Sequence, residues 1–190
     1  TLNNLGVIYL KQGLGEAAAQ QFTQAILADA THIEAKNNLA ALYLQHERYD
    51  NAIRSYDDVL QLNPNDVEAR YNLGVATMAI GDLAVATQQF EQVIKSKPET
   101  IDARINLAAV VLKLGQEKRA LQLYQEIIAL EPKNAIADYM LQALTGTQQA
   151  QAAPKTYVKN LFDNYSGYYD KHVQEVLRYN VPIKLADLLK

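Results

Sequence analysis

A 34-residue pattern recurs four times between Thr1 and Pro132, and this period constrains the fold more than any single residue does. In each copy the dipeptide Asn-Leu is followed by glycine or alanine, and the asparagines are Asn4, Asn38, Asn72 and Asn106. Further along each copy an alanine precedes an aromatic ring by four positions, at Ala18 and Phe22, Ala52 and Tyr56, Ala86 and Phe90, and Ala120 and Tyr124. Repetition at this length is typical of stacked arrays, whose units bury their apolar faces only against one another.

Each copy has the apolar spacing of two helices joined by a turn. In the second copy Leu39, Leu42 and Tyr43, and later Tyr56 and Leu60, recur at three or four residues, which is the period of a helix. Glycine separates the halves of the other copies, at Gly13, Gly81 and Gly115; because the second copy has Glu47 there, we expect its turn to be made differently. Prolines end the later copies, and Asn65 or Asp66 is placed to cap the next helix. The pattern predicts helices over residues 2–12, 15–28, 33–46, 49–62, 67–80, 83–96, 101–114 and 117–130.

This pattern resembles the tetratricopeptide repeat, whose signature is W-x2-L-G-x2-Y followed by an alanine, an aromatic residue and a terminal proline. The second copy matches it with Leu39, Ala40, Tyr43, Ala52 and Pro64. No copy has the tryptophan, and the residues in its place are Leu2, Lys36, Arg70 and Arg104. The resemblance implies an all-α fold, a right-handed α-solenoid of helix hairpins, with a helical C-terminal extension.

The repeat pattern also predicts how the chain is divided. We expect four repeat units at about 1–30, 31–64, 65–98 and 99–132, followed by a capping helix at 133–146 whose amphipathic part is 135–144. Residues 147–155 are small and polar, as in a linker. Residues 156–190 are rich in aromatic side chains, unlike any repeat unit, and we expect them to form a helical extension.

Members of this family hold proteins or extended peptides on a concave surface made by the first helix of each pair. Asparagine amides recurring there can bind a peptide backbone, because each amide both donates and accepts hydrogen bonds. The asparagine column is similar in this respect to the tetratricopeptide part of O-linked N-acetylglucosamine transferase. The predicted peptide-binding residues are Asn4, Asn38, Asn72, Asn106, Tyr71 and Met78. Alternatively, the asparagines only bond neighbouring backbone.

Some relatives clamp a terminal carboxylate with lysine and arginine. The corresponding positions here are Asn3, Val7, Asn38, Glu68 and Asn72, so the pattern argues against this mode.

The segment from Tyr157 to Lys190 resembles the lead-in of bacterial S-adenosylmethionine-dependent methyltransferases that carry tetratricopeptide repeats. Phe162-Asp163, Tyr165, Tyr169-Asp170 and His172 follow the order F-D-x-Y-x3-[FY]-D-x-H. The resemblance implies that 156–190 is the start of a methyltransferase domain that is truncated here, and that the array recruits its substrate. It also implies that Tyr157, Phe162, Tyr165, Tyr169 and His172 cover S-adenosylmethionine or substrate in the full-length protein.

Other interpretations of the chain remain open. Its only Gly-x-Gly, at residues 13–15, lies in a helix-pair turn, so we expect no cofactor and no catalysis in this chain itself. The aspartates of the tail can simply cap helices while its rings pack. The array can be a non-enzymatic scaffold, or it can self-associate through residues 155–190.

Composition narrows the function classes. The net charge of -3 comes from interspersed acids and bases, so neither nucleic acid nor a membrane surface is an expected partner. With no cysteine and three histidines we expect no metal site. The absence of cysteine and of a signal segment suits a cytoplasmic protein.

Overall fold

The computed structural model describes residues 1–146, and within this range the chain forms nine α-helices and no strand. The helices are α1 (Leu2–Lys11), α2 (Gly15–Ala28), α3 (Ile33–Gln45), α4 (Tyr49–Leu62), α5 (Val67–Ala79), α6 (Leu83–Ser96), α7 (Ile101–Lys113), α8 (Glu117–Leu130) and α9 (Ala135–Thr145). Every bound lies within one residue of the predicted one, and the all-α prediction is confirmed for this part of the chain. The division into repeat units, cap, linker and extension stays a prediction.

The helices belong to two compact units. The first unit, Thr1–Pro98, contains the pairs α1/α2, α3/α4 and α5/α6, and the second begins at Glu99 with the pair α7/α8 followed by α9. In the first unit each pair also packs on the next, through α2 against α3 and α4 against α5.

Stacking of the pairs explains which apolar positions are buried. Leu39 and Leu42 of α3 share a core cluster with Ala18 and Phe22 of α2. The residue equivalent to Leu39 in the first copy, Leu5, is 38% exposed, whereas Leu39 itself is 7% exposed. Burial at this position of the second copy therefore depends on the preceding helix pair.

Within a pair, a small residue lets an aromatic ring lie directly on the first helix. A Cβ atom built on Gly6 would lie 2.5 Å from Cε1 of Phe22, and one on Gly74 would lie 2.8 Å from Cε1 of Phe90. Both rings are fully buried. The other two copies carry a fully buried alanine, Ala40 or Ala108, in place of the glycine and a buried tyrosine in place of the phenylalanine.

In the last three copies the position of the family's tryptophan holds a cation that reaches the second helix of the pair. Lys36 forms an ion pair with Asp58 at 3.3 Å, and Arg104 forms the equivalent pair with Glu126, also at 3.3 Å. Arg70 instead donates to Gln89 Oε1 at 3.1 Å. These contacts join the two helices of a pair where an indole ring is missing, and they point the cations toward the second helices.

The turn between α3 and α4 does not differ from the others, and the expectation that it would was wrong. Glu47 adopts the left-handed conformation (φ +56°) that Gly13, Gly81 and Gly115 adopt in their turns. The Arg48 amide donates to the Tyr43 carbonyl at 2.8 Å, as the Asp82 amide does to the Thr77 carbonyl at 2.9 Å. The closing hydrogen bonds of a helix C-terminus therefore form in spite of the side chain.

We expect Glu47→Gly to raise the free energy of unfolding by about 0.5–1 kcal/mol, because a non-glycine residue pays a steric cost in this conformation that exceeds the entropy glycine loses on folding. The matched variant Gly81→Ala should lower it by about 1 kcal/mol through the backbone alone, since no atom lies within 4 Å of its added Cβ. Urea denaturation measures both. A less stable E47G protein would show that the Glu47 side chain, rather than its backbone, determines the stability of this turn.

Candidate peptide-binding surface

The first helices of successive pairs lie side by side in the first unit. Helix α3 contacts both α1 and α5 directly, and all three carry an asparagine of the repeat pattern. We call the side formed by α1, α3 and α5 the first-helix surface.

Between α1 and α3 the polar side chains of this surface bond to one another. The Asn38 amide donates from Nδ2 to Oδ1 of Asn3 at 2.9 Å, and Asn3 donates from Nδ2 to Oε2 of Glu34 at 3.4 Å. Asn3 is only 5% exposed. We call this arrangement, an asparagine amide bonded across two neighbouring first helices, the closed rung.

Between α3 and α5 the equivalent bond is not made. By the 34-residue period, Asn37 and Asn72 correspond to Asn3 and Asn38. Asn37 instead donates from Nδ2 to Oδ2 of Asp66 at 3.2 Å, and its Oδ1 atom is buried without a hydrogen-bond partner. We call this site, formed by Asn37, Asn72 and the nearby Tyr56 hydroxyl, the open rung.

The Tyr56 hydroxyl is the most deeply buried member of the open rung. Tyr56 belongs to α4, is 1% exposed, and its oxygen has no hydrogen-bond partner. Burial raises the pKa of this hydroxyl above its ordinary value, and the charge of Glu68 raises it further. The Asn72 side chain is close enough to oppose that rise, but the pair does not reach hydrogen-bond geometry.

We expect Tyr56→Phe to leave the protein at pH 7 as stable as the parent or about 1 kcal/mol more stable, because it removes a buried hydroxyl without a partner. The equivalent rings Phe22 and Phe90 show that this position accepts phenylalanine. Since the folded chain holds the Tyr56 proton more tightly than the unfolded chain, the parent keeps its full stability below about pH 10 and becomes less stable as the pH rises further.

Denaturation of the parent and of Y56F between pH 7 and 11.5 measures this difference. The advantage of Y56F should widen above pH 10. A loss of more than 1 kcal/mol at pH 7 would show instead that the hydroxyl is hydrogen-bonded.

The predicted site residues differ in how accessible they are. Asn4 is exposed, and Asn38 and Asn72 are half-buried. Tyr71 is half-buried with its ring centroid 5.8 Å from that of Phe90, and Met78 is 4% exposed. Asn106 lies on α7 in the second unit and is 5% exposed. Among the predicted site residues, the asparagines of α1, α3 and α5 are therefore more accessible to a ligand than Met78 and Asn106 are.

The sequence prediction did not include Asn37, Glu34 and Tyr56 among the site residues. Asn3 and Asn37 precede the repeated asparagine directly, but tyrosine and isoleucine stand at this position in the later copies, so no repeat signal marks it. The one sequence signal that could have indicated Asn3 and Asn37 is the Asn-Asn pair that occurs in both the first and the second copy.

Several predictions fall outside the described residues. They are the linker at 147–155, the extension at 156–190, self-association through 155–190, and the cofactor or substrate cover by Tyr157, Phe162, Tyr165, Tyr169 and His172. Within residues 1–146, no three metal-ligating side chains converge on one point. In the same range no helix has both the length and the apolar character needed to cross a membrane.

Sequence comparison with protein families agrees with the helix-pair geometry. Three family models, each described as Tetratricopeptide repeat, match residues 1–32, 39–106 and 78–144. The chain belongs to the tetratricopeptide repeat (TPR) family. No curated protein sequence matches it significantly.

Solved TPR structures share the fold at low sequence identity. The crystal structure of MamA is 21% identical, covers 96% of each chain and has a TM-score of 0.72. YrrB, a TPR protein with an unusual peptide-binding site, is 15% identical over 88% of this chain and 86% of its own, with a TM-score of 0.69. The first TPR of Spaghetti (RPAP3), bound to the HSP90 peptide SRMEEVD, is 24% identical over 60% of this chain and 90% of its own, with a TM-score of 0.58.

Proposed function

We propose that this TPR array binds an extended peptide segment of a partner protein on the first-helix surface. The observation that carries the proposal is the row of asparagine amides on α1, α3 and α5, which presents donors and acceptors at neighbouring helices. Such groups match the backbone of an extended chain, whose amides and carbonyls also alternate. Two of the similar TPR structures are described with a bound peptide or a peptide-binding site, which agrees with this use of the fold.

The charges of this surface argue against capture of a terminal carboxylate. Glu34 and Glu68 are both exposed on it, and the cations nearest in sequence, Lys36 and Arg70, bond to groups outside the first helices. A carboxylate brought there would meet charges of its own sign. We therefore propose an internal segment of the partner as the ligand.

The peptides for this test are selected by display and are blocked at both ends. We expect the double variant Asn38→Ala, Asn72→Ala to bind them more weakly than the parent does. Two lost hydrogen bonds correspond to roughly 1–3 kcal/mol, or about 5- to 150-fold in Kd. Fluorescence anisotropy measures the affinity, and circular dichroism checks that the helices persist.

The matched control is Asn51→Ala. Asn51 is a half-buried asparagine on α4, a second helix, and it lines a cavity between α2, α3 and α4. This variant should bind as the parent does. Equal affinity of the double variant and the parent would refute binding by the asparagine amides.

A second proposal concerns the full-length protein. The order of Phe162, Tyr165, Tyr169 and His172 supports an array that recruits substrate for an S-adenosylmethionine-dependent methyltransferase. The glycine-rich turn that holds this cofactor in such enzymes does not occur in residues 1–190, apart from the helix-pair turn at 13–15. This proposal therefore assigns no cofactor site to residues 1–190.

Calorimetric titration of S-adenosylmethionine into residues 1–190 should therefore give no heat of binding. Binding at micromolar concentration would place a cofactor site within this chain and overturn that expectation.

A further inference from the structure

The first-helix surface carries acidic side chains in register with the repeat. Glu34 and Glu68 occupy the same position in the first turn of α3 and of α5, and both are exposed. Asp66 caps α5 through Oδ1, which accepts from the Ala69 amide at 3.0 Å. Lys36 and Arg70 do not neutralise these acids, because they bond to Asp58 and to Gln89 and the Pro64 carbonyl.

The open rung adds an observation that is independent of these charges. The Tyr56 oxygen and Asn37 Oδ1 are buried without partners, although the homologous closed rung leaves no such atom. A buried polar atom without a hydrogen bond costs stability, so each such atom in a folded protein calls for a physical reason. Pairing with a group of a bound ligand is one such reason.

Both of these residues lie against α5. Asn37 bonds through its other amide atom to Asp66, the cap of this helix, while the Tyr56 hydroxyl lies near Glu68 and Asn72. Glu68 and Asn72 are four residues apart on α5 and so share one face of it. The two residues with unpaired atoms thus lie against the helix that carries the exposed carboxylate.

We propose that the open rung is a subsite for a basic side chain, lysine or arginine, of the bound peptide. This inference rests on the peptide binding proposed above and names the side chain that the site selects. An ammonium or guanidinium group carries only donors and a positive charge, which match the free acceptor of Asn37 and the carboxylate of Glu68. Because Asn37 and Asn72 are half-buried, their amides can turn when such a group binds, and the Asn72 amide can then pair with the Tyr56 hydroxyl. A neutral or acidic side chain would leave the carboxylate without its counter-charge.

Four blocked peptides test the proposal. They have the form acetyl-Gly-Ser-Ala-X-Ala-Ser-Gly-amide, where X is lysine, arginine, glutamine or glutamate. We expect the lysine and arginine peptides to bind about three- to five-fold more tightly than the glutamine peptide, as for a partly exposed charge pair, and the glutamate peptide to bind most weakly. Nuclear magnetic resonance titration measures Kd and locates the site, since only the basic peptides should shift the side-chain amide signals of Asn37 and Asn72 strongly. The preference should shrink as salt is added.

The variant Glu68→Gln removes the carboxylate and should reduce the lysine-to-glutamine preference to about one. Glu16→Gln is the matched control, because Glu16 is an exposed acid in the first turn of α2, which is not part of the first-helix surface. It changes the net charge equally and should keep the preference of the parent.

The outcomes separate this inference from the function on which it rests. If all four peptides shift the Asn38 and Asn72 signals with equal affinity, or if the preference survives in E68Q, the basic subsite is refuted while peptide binding stands. If none of them perturbs these signals at millimolar concentration and display also yields no binder, both proposals are refuted.

Discussion

The close approach of one helix to an aromatic ring of its partner is the contact on which the rest of this protein depends. Where Phe22 and Phe90 cross the first helix there is no room for a Cβ atom, and the first and third copies therefore have Gly6 and Gly74 there. This contact brings the two helices of a pair together and leaves the opposite side of the first helix for its neighbours. The position of α1, α3 and α5 beside one another, and hence the asparagine rungs, follows from it.

The closed rung and the open rung occupy equivalent positions in the repeat, so their hydrogen bonds can be compared directly. The closed rung joins Asn3 and Asn38, whereas the open rung leaves the Asn37 acceptor and the Tyr56 hydroxyl without partners. In the open rung Asp66 competes for the Asn37 amide because it caps α5 at the adjacent turn. Asp66 stands where the preceding copy has His32, the cap of α3, so a difference at the cap accompanies the difference in hydrogen bonding. Binding sites in repeat proteins can arise in this way, from small departures between equivalent units rather than from new elements.

The helices themselves were predictable to within one residue, because the apolar period, the turn glycines and the terminal prolines all mark the same boundaries. The turn at Glu47 was predicted wrongly. The missing glycine suggested a different turn, but Glu47 adopts the same left-handed backbone conformation as the turn glycines of the other copies. Part of the candidate site was predictable as well. Repetition marked Asn38 and Asn72, while Asn3, Asn37 and Tyr56 carry no repeat signal for binding, since their role depends on which partners reach them.

The sequence by itself determined the all-α architecture, the pairing of helices and the small residue beneath each ring, because these features depend on neighbours at fixed separations along the chain. Only the tertiary structure decided which asparagines are accessible and which are bonded. Asn4 is exposed whereas Asn106, its equivalent three copies later, is 5% exposed, although both precede the leucine of the same repeat signature. Accessibility and hydrogen bonding depend on groups that approach from other helices, and a repeat pattern describes only the residues within each copy.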